Sequence, residues 1–493
     1  MIEALIVNIH IQSLILGLIL ASVYFKLTRR EIKLNEPPLV YYRFPIIGHT
    51  WSFLTDCEKL ILESRKKYGE TFSLYVFGRV VAVVGKDSTQ EENLSRLSMI
   101  FYSRLVPSNE QIYTRTAIWN ILDLCSKFTL DLLIFQGTSS DGQCARWVLV
   151  FQNKDPAFLM EIKGILFIIE PKVIHDPLKI MQKIVSFPFS NVAFGEECCH
   201  YEDILEIFRS LTSSITRITL VPPILCFIHP WLHQQFITQD SFQRLNDKKR
   251  LGDAWIAPLD LLQTYLDDPE VTPDLDPNNV DYNYIADSLG VFIFASMFTT
   301  SNRTTSALYG RKEYWQELYQ EAQEINKQRN GDELTPNDIN KMVKLDSFIK
   351  ESFRNSDDVL GLPHLCISKS NYTFKNGYQI PEGRIAFLNF LDTHYDKEIQ
   401  GQDPMEFYAY RHLERNASAT KIERNLIIFG NGKHSCPGRF LAVNEIKIIL
   451  HKIILKYNVR TETGKITPKR YFGPILKRTY DGIVFENRKD IVD

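Results

Sequence analysis

From Ala4 to Phe25 the chain is apolar almost without a break. Asn8, His10, Gln12 and Ser13 interrupt it early, and LILGLILASVYF closes it. That is about the length a helix needs to cross a bilayer. Lys26, Arg29, Arg30 and Lys33 come directly after it, and a basic cluster on that side places the remainder of the chain in the cytosol. Residues 1–30 are therefore expected to form a single-pass membrane anchor, and the charges standing after the apolar run argue against a cleaved signal peptide. In residues 31–50, Pro37, Pro38 and Pro45 stiffen the chain and Gly48 permits a turn, a pattern that reads as a hinge before a globular part over 51–493.

Within that part the periodicity changes twice. In TFSLYVFGRVVAVVG, residues 71–85, aromatic and β-branched residues flank a Gly78-Arg79 centre, which predicts a β-hairpin. Farther on, residues 313–328 and 345–355 carry apolar positions at three- and four-residue intervals among strong helix formers. The expected fold class is mainly α with a smaller β region. No internal repeat interrupts it.

Composition narrows the chemistry. The 493 residues are 44% hydrophobic, enough for a large core, and carry a formal net charge of -2. A chain without a concentrated basic surface gives no expectation of a nucleic-acid partner. The eight cysteines, Cys57, Cys125, Cys144, Cys198, Cys199, Cys226, Cys366 and Cys436, show no regular spacing, unlike a disulfide framework. Cys436 stands apart, in FGNGKHSCPG, residues 429–438, between glycines and just before a helix expected to start near Arg439. Backbone N–H groups and a positive helix end stabilise a thiolate, so a metal ligand or a nucleophile both fit. A nucleophile needs a base, for which His434 is at hand. A zinc site needs further ligands at short spacing, whereas one thiolate suffices for a haem iron.

Phe429, Gly432, Cys436 and Gly438, with His434 where a basic residue is usual, resemble the haem-binding loop of cytochromes P-450. Glu351 and Arg354 match that family's Glu-x-x-Arg pair upstream, and DPMEFYAYRHLE around Arg411 resembles its Phe-x-Pro-x-Arg segment, with Ala409 in place of proline. The resemblance implies a P-450 fold holding haem b (iron-protoporphyrin IX), with Cys436 as the axial iron ligand. Glu351 and Arg354 would hold Arg411 in a buried charge network, and His434 and His364 would stand where cations meet the haem propionates. The distal helix is expected in IADSLGVFIFASMFTTSNRTTSALY, residues 285–309, where Ala295 and Thr299 fall four apart on one face. There the family's small-Gly-x-acid-Thr pattern reads ASMFTT. Thr299 is kept, Phe298 replaces the acid and Ser296 the glycine. The neutral position and the run Cys436 to Phe440, CPGRF, resemble filamentous-fungal members.

Monooxygenation is the expected reaction, with O2 as oxidant and NADPH-cytochrome P-450 reductase as electron donor. The substrate would be lipophilic, of the terpenoid, sterol or fatty-acid class, given the anchor and the aromatics Phe292, Phe294 and Phe298 on the distal helix. The expected location is the endoplasmic reticulum membrane, in contact with membrane lipid, with the catalytic domain cytosolic. Lys433, Arg439 and Lys447 near Cys436 would steer an acidic reductase. Two rivals stay open: a haem-thiolate isomerase or dehydratase acting on peroxides, compatible with Phe298, and a catalytically impaired haem protein. The resemblance breaks over residues 96–164, which lack the family's Trp-x-x-x-Arg pair. A divergent insertion and a gene-model error both explain the break, the error being preferred.

Overall fold

The computed structural model describes residues 34–44, 47–89, 97–99, 171–195, 205 and 228–488, the last with gaps at 259, 270, 273–275, 310–311, 330–333, 357–358, 369–370, 416, 432–434, 437, 466–470 and 477–480. The expected anchor and nearly all of the anomalous segment lie outside these residues. Among the described residues no helix is long and apolar enough to cross a membrane.

Helices dominate. The principal ones are α1 (Cys57–Tyr68), α2 (Pro177–Phe194), α3 (Ile228–Leu251), α4 (Tyr282–Leu308), α5 (Trp315–Arg329), α6 (Val343–Ser356) and α7 (Arg439–Lys456). Asp281 starts α4 by accepting the Tyr284 N–H on its side chain at 3.0 Å, which satisfies one of the orphan donors of the first turn. The long α4 packs against α2, α3, α6 and α7, and α7 also packs against α5 and α6. Their apolar faces meet in one large core that includes Phe189 and Phe194 of α2, Ile293 and Met297 of α4, Phe348 and Phe353 of α6, and Ile446 and Leu450 of α7. Each such side chain taken fully out of water contributes roughly 1.5–3 kcal/mol.

The strands are β1 (Phe72–Val76), β2 (Arg79–Val84), β3 (Leu97–Met99), β4 (Lys172–Ile174), β5 (Gly361–Cys366), β6 (Tyr372–Thr373), β7 (Gln379–Ile380), β8 (Ile385–Asn389), β9 (Tyr457–Thr461), β10 (Tyr471–Phe472), β11 (Ile475–Leu476) and β12 (Ile483–Asn487). The largest sheet runs β1-β2-β8-β5-β3, antiparallel except for the parallel β2-β8 pair. Its register sets Val83 opposite Phe387 and His364 opposite Ala386. The predicted hairpin is β1-β2, with its turn one residue earlier than the Gly78-Arg79 centre. Phe77 (φ 50°) and Gly78 (φ 73°) are the two central residues. Both left-handed conformations match the twist of a tight hairpin, and Phe77 bears the strain because its N–H is held by Thr50 Oγ1 at 2.8 Å.

The stretch expected to be a hinge is fastened where it is described. Ser73 N donates to Pro38 O at 2.8 Å, Val40 N to Ser73 O at 2.9 Å, and Gln379 N to Asn35 O at 2.8 Å. Residues 35–40 thus extend the sheets instead of swinging free, because extended proline-rich backbone presents carbonyls that a strand edge can pair.

Candidate haem-thiolate site

Helix α7 begins at Arg439, three residues beyond Cys436. The loop before it is closed by Cys436 N donating to Phe429 O at 2.7 Å. Phe429 meets Phe353 of α6 edge to face, 5.8 Å between centroids, which ties the loop to the helical core. Burial pushes the Cys436 thiol up, opposed by the main-chain N–H groups of Gly438 and Arg439 and by the Arg439 guanidinium. That donor set suits a sulfur that carries negative charge once a metal ion replaces its proton. A lone thiol at a helix start fits the cysteine thiolate that holds the iron in one class of haem protein. Among the described residues there is no cluster of further metal-ligating side chains to suit zinc. Gly432, Lys433 and His434 lie outside the described residues; Gly438 precedes the first turn of α7.

Helix α6 supplies the support. Its residues Asp346, Ser347, Lys350, Glu351 and Arg354 share one face by helical spacing, and every one is buried. Glu351 and Arg354 are both 0% exposed and pair bidentately, Nε to Oε2 at 2.8 Å and Nη2 to Oε1 at 2.7 Å. Arg411 donates from Nε to Glu351 Oε1 at 3.2 Å, so the three residues meet. Arg354 also donates to the carbonyls of His394 (2.7 Å), Pro404 (2.6 Å) and Glu406 (3.1 Å), and Arg411 to Gln400 O at 2.9 Å and Glu406 O at 2.9 Å. Burial alone would push the Glu351 carboxyl up, but the hydrogen bonds from Arg354 and His412 outweigh it and hold Glu351 well below the usual carboxylate range.

Sequence reasoning missed the rest of this face. Ser347 Oγ donates to Ala409 O at 2.7 Å, and Lys350 Nζ to Ala417 O and Ser418 O, each at 3.2 Å, while pairing with Glu423. Asp346 Oδ2 accepts the Ala419 N–H at 2.7 Å, and its other oxygen pairs with Lys447 at 2.5 Å. Lys447, expected on a basic reductase-facing surface, is instead 5% exposed and turned inward. Arg439 is also committed inward: its Nη1 donates to Cys436 O at 2.8 Å and its Nε to Thr420 O at 3.1 Å, while its guanidinium lies 4.3 Å from the Phe440 ring centroid. Of the three cations assigned to steering, two are tied to oxygen acceptors of the chain, Lys447 buried and Arg439 half-buried. A spacing of four with Glu351 was the one signal that could have found Ser347.

On α4, Thr299 is exposed and donates from Oγ1 to Ala295 O at 2.6 Å, so these two do meet. Thr304, Thr305 and Ser306 donate in the same way to the carbonyls four residues back, a habit that weakens and bends a helix. Phe292 packs edge to face on Phe189 of α2, 6.1 Å between centroids, within the helical core. Half-buried Phe298 stands beside Thr299, while the Phe294 side chain is outside the described set. His364 sits buried on β5, its Nδ1 3.2 Å from Leu362 O and away from the other named residues in the contacts described. On α7, Glu445 is fully buried and neither carboxylate oxygen has a hydrogen-bond partner among the described residues, so burial holds its pKa well above the ordinary value.

A cysteine just ahead of one helix, which itself packs against a second long helix, with a buried Glu-Arg-Arg network on a third, fits a haem-thiolate scaffold. The family described as Cytochrome P450 matches residues 161–484, and this chain belongs to that family. Cytochrome P450 monooxygenase 71 of Postia placenta is 29% identical over 313 residues, 59% of this chain and 61% of that protein. The chain thus spans about 61% of the length of this relative. Two others align over nearly their whole length: Cytochrome P450 monooxygenase 103 of Postia placenta at 25% identity (97% of this chain, 98% of the relative) and Cytochrome P450 monooxygenase sdnB of Sordaria araneosa at 24% (95% and 91%).

Proposed function

We propose that this chain is a haem-thiolate monooxygenase, anchored by residues 1–30 in the endoplasmic reticulum membrane, that inserts one oxygen atom from O2 into a lipophilic substrate. Its electrons come from NADPH-cytochrome P-450 reductase. The observation that carries this reading is Cys436, which stands three residues ahead of α7 while its own N–H closes the loop on Phe429. When bound, haem b supplies the reductive activation of O2. The residues of the chain do the rest. Cys436 would hold the iron, and Arg439 and the α6 network fix the loop that presents it. Thr299, with its hydroxyl on the Ala295 carbonyl, holds a proton at Oγ1 on the exposed side of α4. Relatives that align over most of this chain carry the name monooxygenase, which supports oxygenation over the peroxide-isomerase reading.

The test is the spectrum of the purified, reduced chain with carbon monoxide. A red-shifted Soret band of a thiolate-haem-carbonyl complex is expected, and Cys436→Ala is expected to abolish it. Retention of that band by the alanine variant would mean that another group holds the iron.

A further inference from the structure

His412 comes directly after Arg411 and is 2% exposed. Its Nε2 lies 3.2 Å from Glu351 Oε2, and since that carboxyl is ionised, Nε2 must carry the hydrogen and donate. Its main-chain N–H donates to Ser347 Oγ at 3.3 Å. The other ring nitrogen, Nδ1, is buried with no hydrogen-bond partner among the described residues. The ring is therefore held as one neutral tautomer.

We infer that His412 is a positioning residue of the cysteine loop, locking residues 404–412 onto α6 only while its imidazole is neutral. This rests on the haem-thiolate reading. The charges that face the ring decide the point. Glu351, Arg354 and Lys350 come from α6, and Arg411 stands beside it on its own segment. One carboxylate already accepts from two guanidinium groups, so a proton on Nδ1 would add a third cation to a buried site with a single anion. Burial lowers the His412 pKa, with Lys350 and Arg354 acting in the same direction and Glu351 opposing. A folded-state value below the ordinary one means that acid favours whatever state exposes the ring. Stability is then lost as pH falls below about 6.5, the ordinary histidine value. Opening there reaches the iron ligand, because Arg439 ties Cys436 O to Thr420 O on the continuation of the same segment.

The experiment tracks the reduced carbonyl Soret band of the full-length holoprotein from pH 8 down, in wild type, His412→Gln and His412→Phe. Glutamine can donate to Glu351 and does not titrate; phenylalanine cannot donate. Wild type is expected to lose the thiolate-type band as pH falls below about 6.5. His412→Gln is expected to keep it to a lower pH, and His412→Phe to lose haem about tenfold faster at neutral pH, the loss of one hydrogen bond to a charged group. An acid midpoint unchanged in His412→Gln would overturn the inference. If the variants do not fold, the wild-type His412 ring carbon shift in labelled protein decides: a ring that stays the neutral Nε2–H tautomer for as long as the band persists and protonates only as the band is lost supports the lock, and titration at the ordinary value with the band intact overturns it. Absence of the band in wild type at neutral pH would instead strike at the haem-thiolate reading, and the ring shift would still test the lock.

Discussion

Replacing Lys447 by methionine removes the ammonium group that neutralises Asp346 and leaves a side chain of similar length, so no cavity opens. Asp346 then keeps one hydrogen bond, from Ala419 N at 2.7 Å, and loses an ion-pair partner 2.5 Å away. The two side chains are 7% and 11% exposed, so water replaces the lost partner poorly. Breaking a buried pair from one side costs about 3–5 kcal/mol. Set against a total stability of roughly 5–15 kcal/mol, that is a large fraction. Denaturant unfolding monitored by tryptophan fluorescence measures it as a lowered midpoint at constant slope. The double variant Lys447→Met, Asp346→Asn keeps an acceptor for Ala419 N without a buried charge, and is expected to recover most of the loss. A single-variant loss under about 1 kcal/mol, the range of exposed pairs, would refute the burial argument. It would return Lys447 to the surface role expected from the sequence, with salt-dependent reductase kinetics as its signature.

Glu445 keeps its proton in the folded state while the unfolded chain releases it above about pH 4.3, so wild-type stability falls as pH rises through that value and beyond. Glu445→Gln is expected to flatten the dependence and to be at least as stable as wild type at pH 8, by denaturant unfolding at pH 5 and pH 8; a difference independent of pH would oppose a neutral Glu445. Thr299→Ala removes only a back-bonded hydroxyl from an exposed position, so unfolding should change by less than about 1 kcal/mol. Under the proposed function the fraction of NADPH electrons reaching product should drop and peroxide should rise; unchanged coupling favours the peroxide-isomerase reading.

Much of the framework was legible because chemistry or geometry fixes the residue types. A helix of period 3.6 announced itself over 313–328 and 345–355, where α5 and α6 lie, and alternation announced β1 and β2. The turn between those strands was placed one residue late, since glycine is the usual sign of a positive φ and Phe77 adopts one without it. Cys436 and the Glu351-Arg354 pair were singled out by resemblance to family motifs, the spacing of the pair alone being that of an ordinary ion pair, and the structure joins Glu351, Arg354 and Arg411. The rest of the network was hidden by the ordinary behaviour of charge. Asp346 and Lys350 stand among polar neighbours as a solvated helix face would, and their partners Ala419 and Glu423 lie far along the chain; Lys447, whose partner Ile339 is as distant, stands between isoleucines, a local sign of burial. Nothing local to KLDSFIKESFR tells a buried polar face from an exposed one. His412 was missed for the same reason, although its neighbour Arg411 was found.

The burial of that polar face has a physical cause. Among the described residues of 404–423 there is no helix or strand to pair the backbone throughout, yet Pro404, Ala409, His412, Ala417 and Ala419 are buried. Each buried N–H or C=O left unpaired costs about 1–3 kcal/mol. Helix α6 answers for them: Arg354 takes the carbonyls of Pro404 and Glu406, Ser347 that of Ala409, Lys350 those of Ala417 and Ser418, while Glu351 and Asp346 accept the N–H groups of Tyr408 and Ala419. An apolar face would leave the buried carbonyls of Pro404, Ala409 and Ala417 and the Ala419 N–H orphaned, at a combined cost comparable to the stability of a domain. The charges on α6 are thus what lets an irregular segment hold one conformation. Because Arg439 joins that segment to Cys436 through Thr420, the position of the sulfur is set by a helix that never touches it in the contacts described.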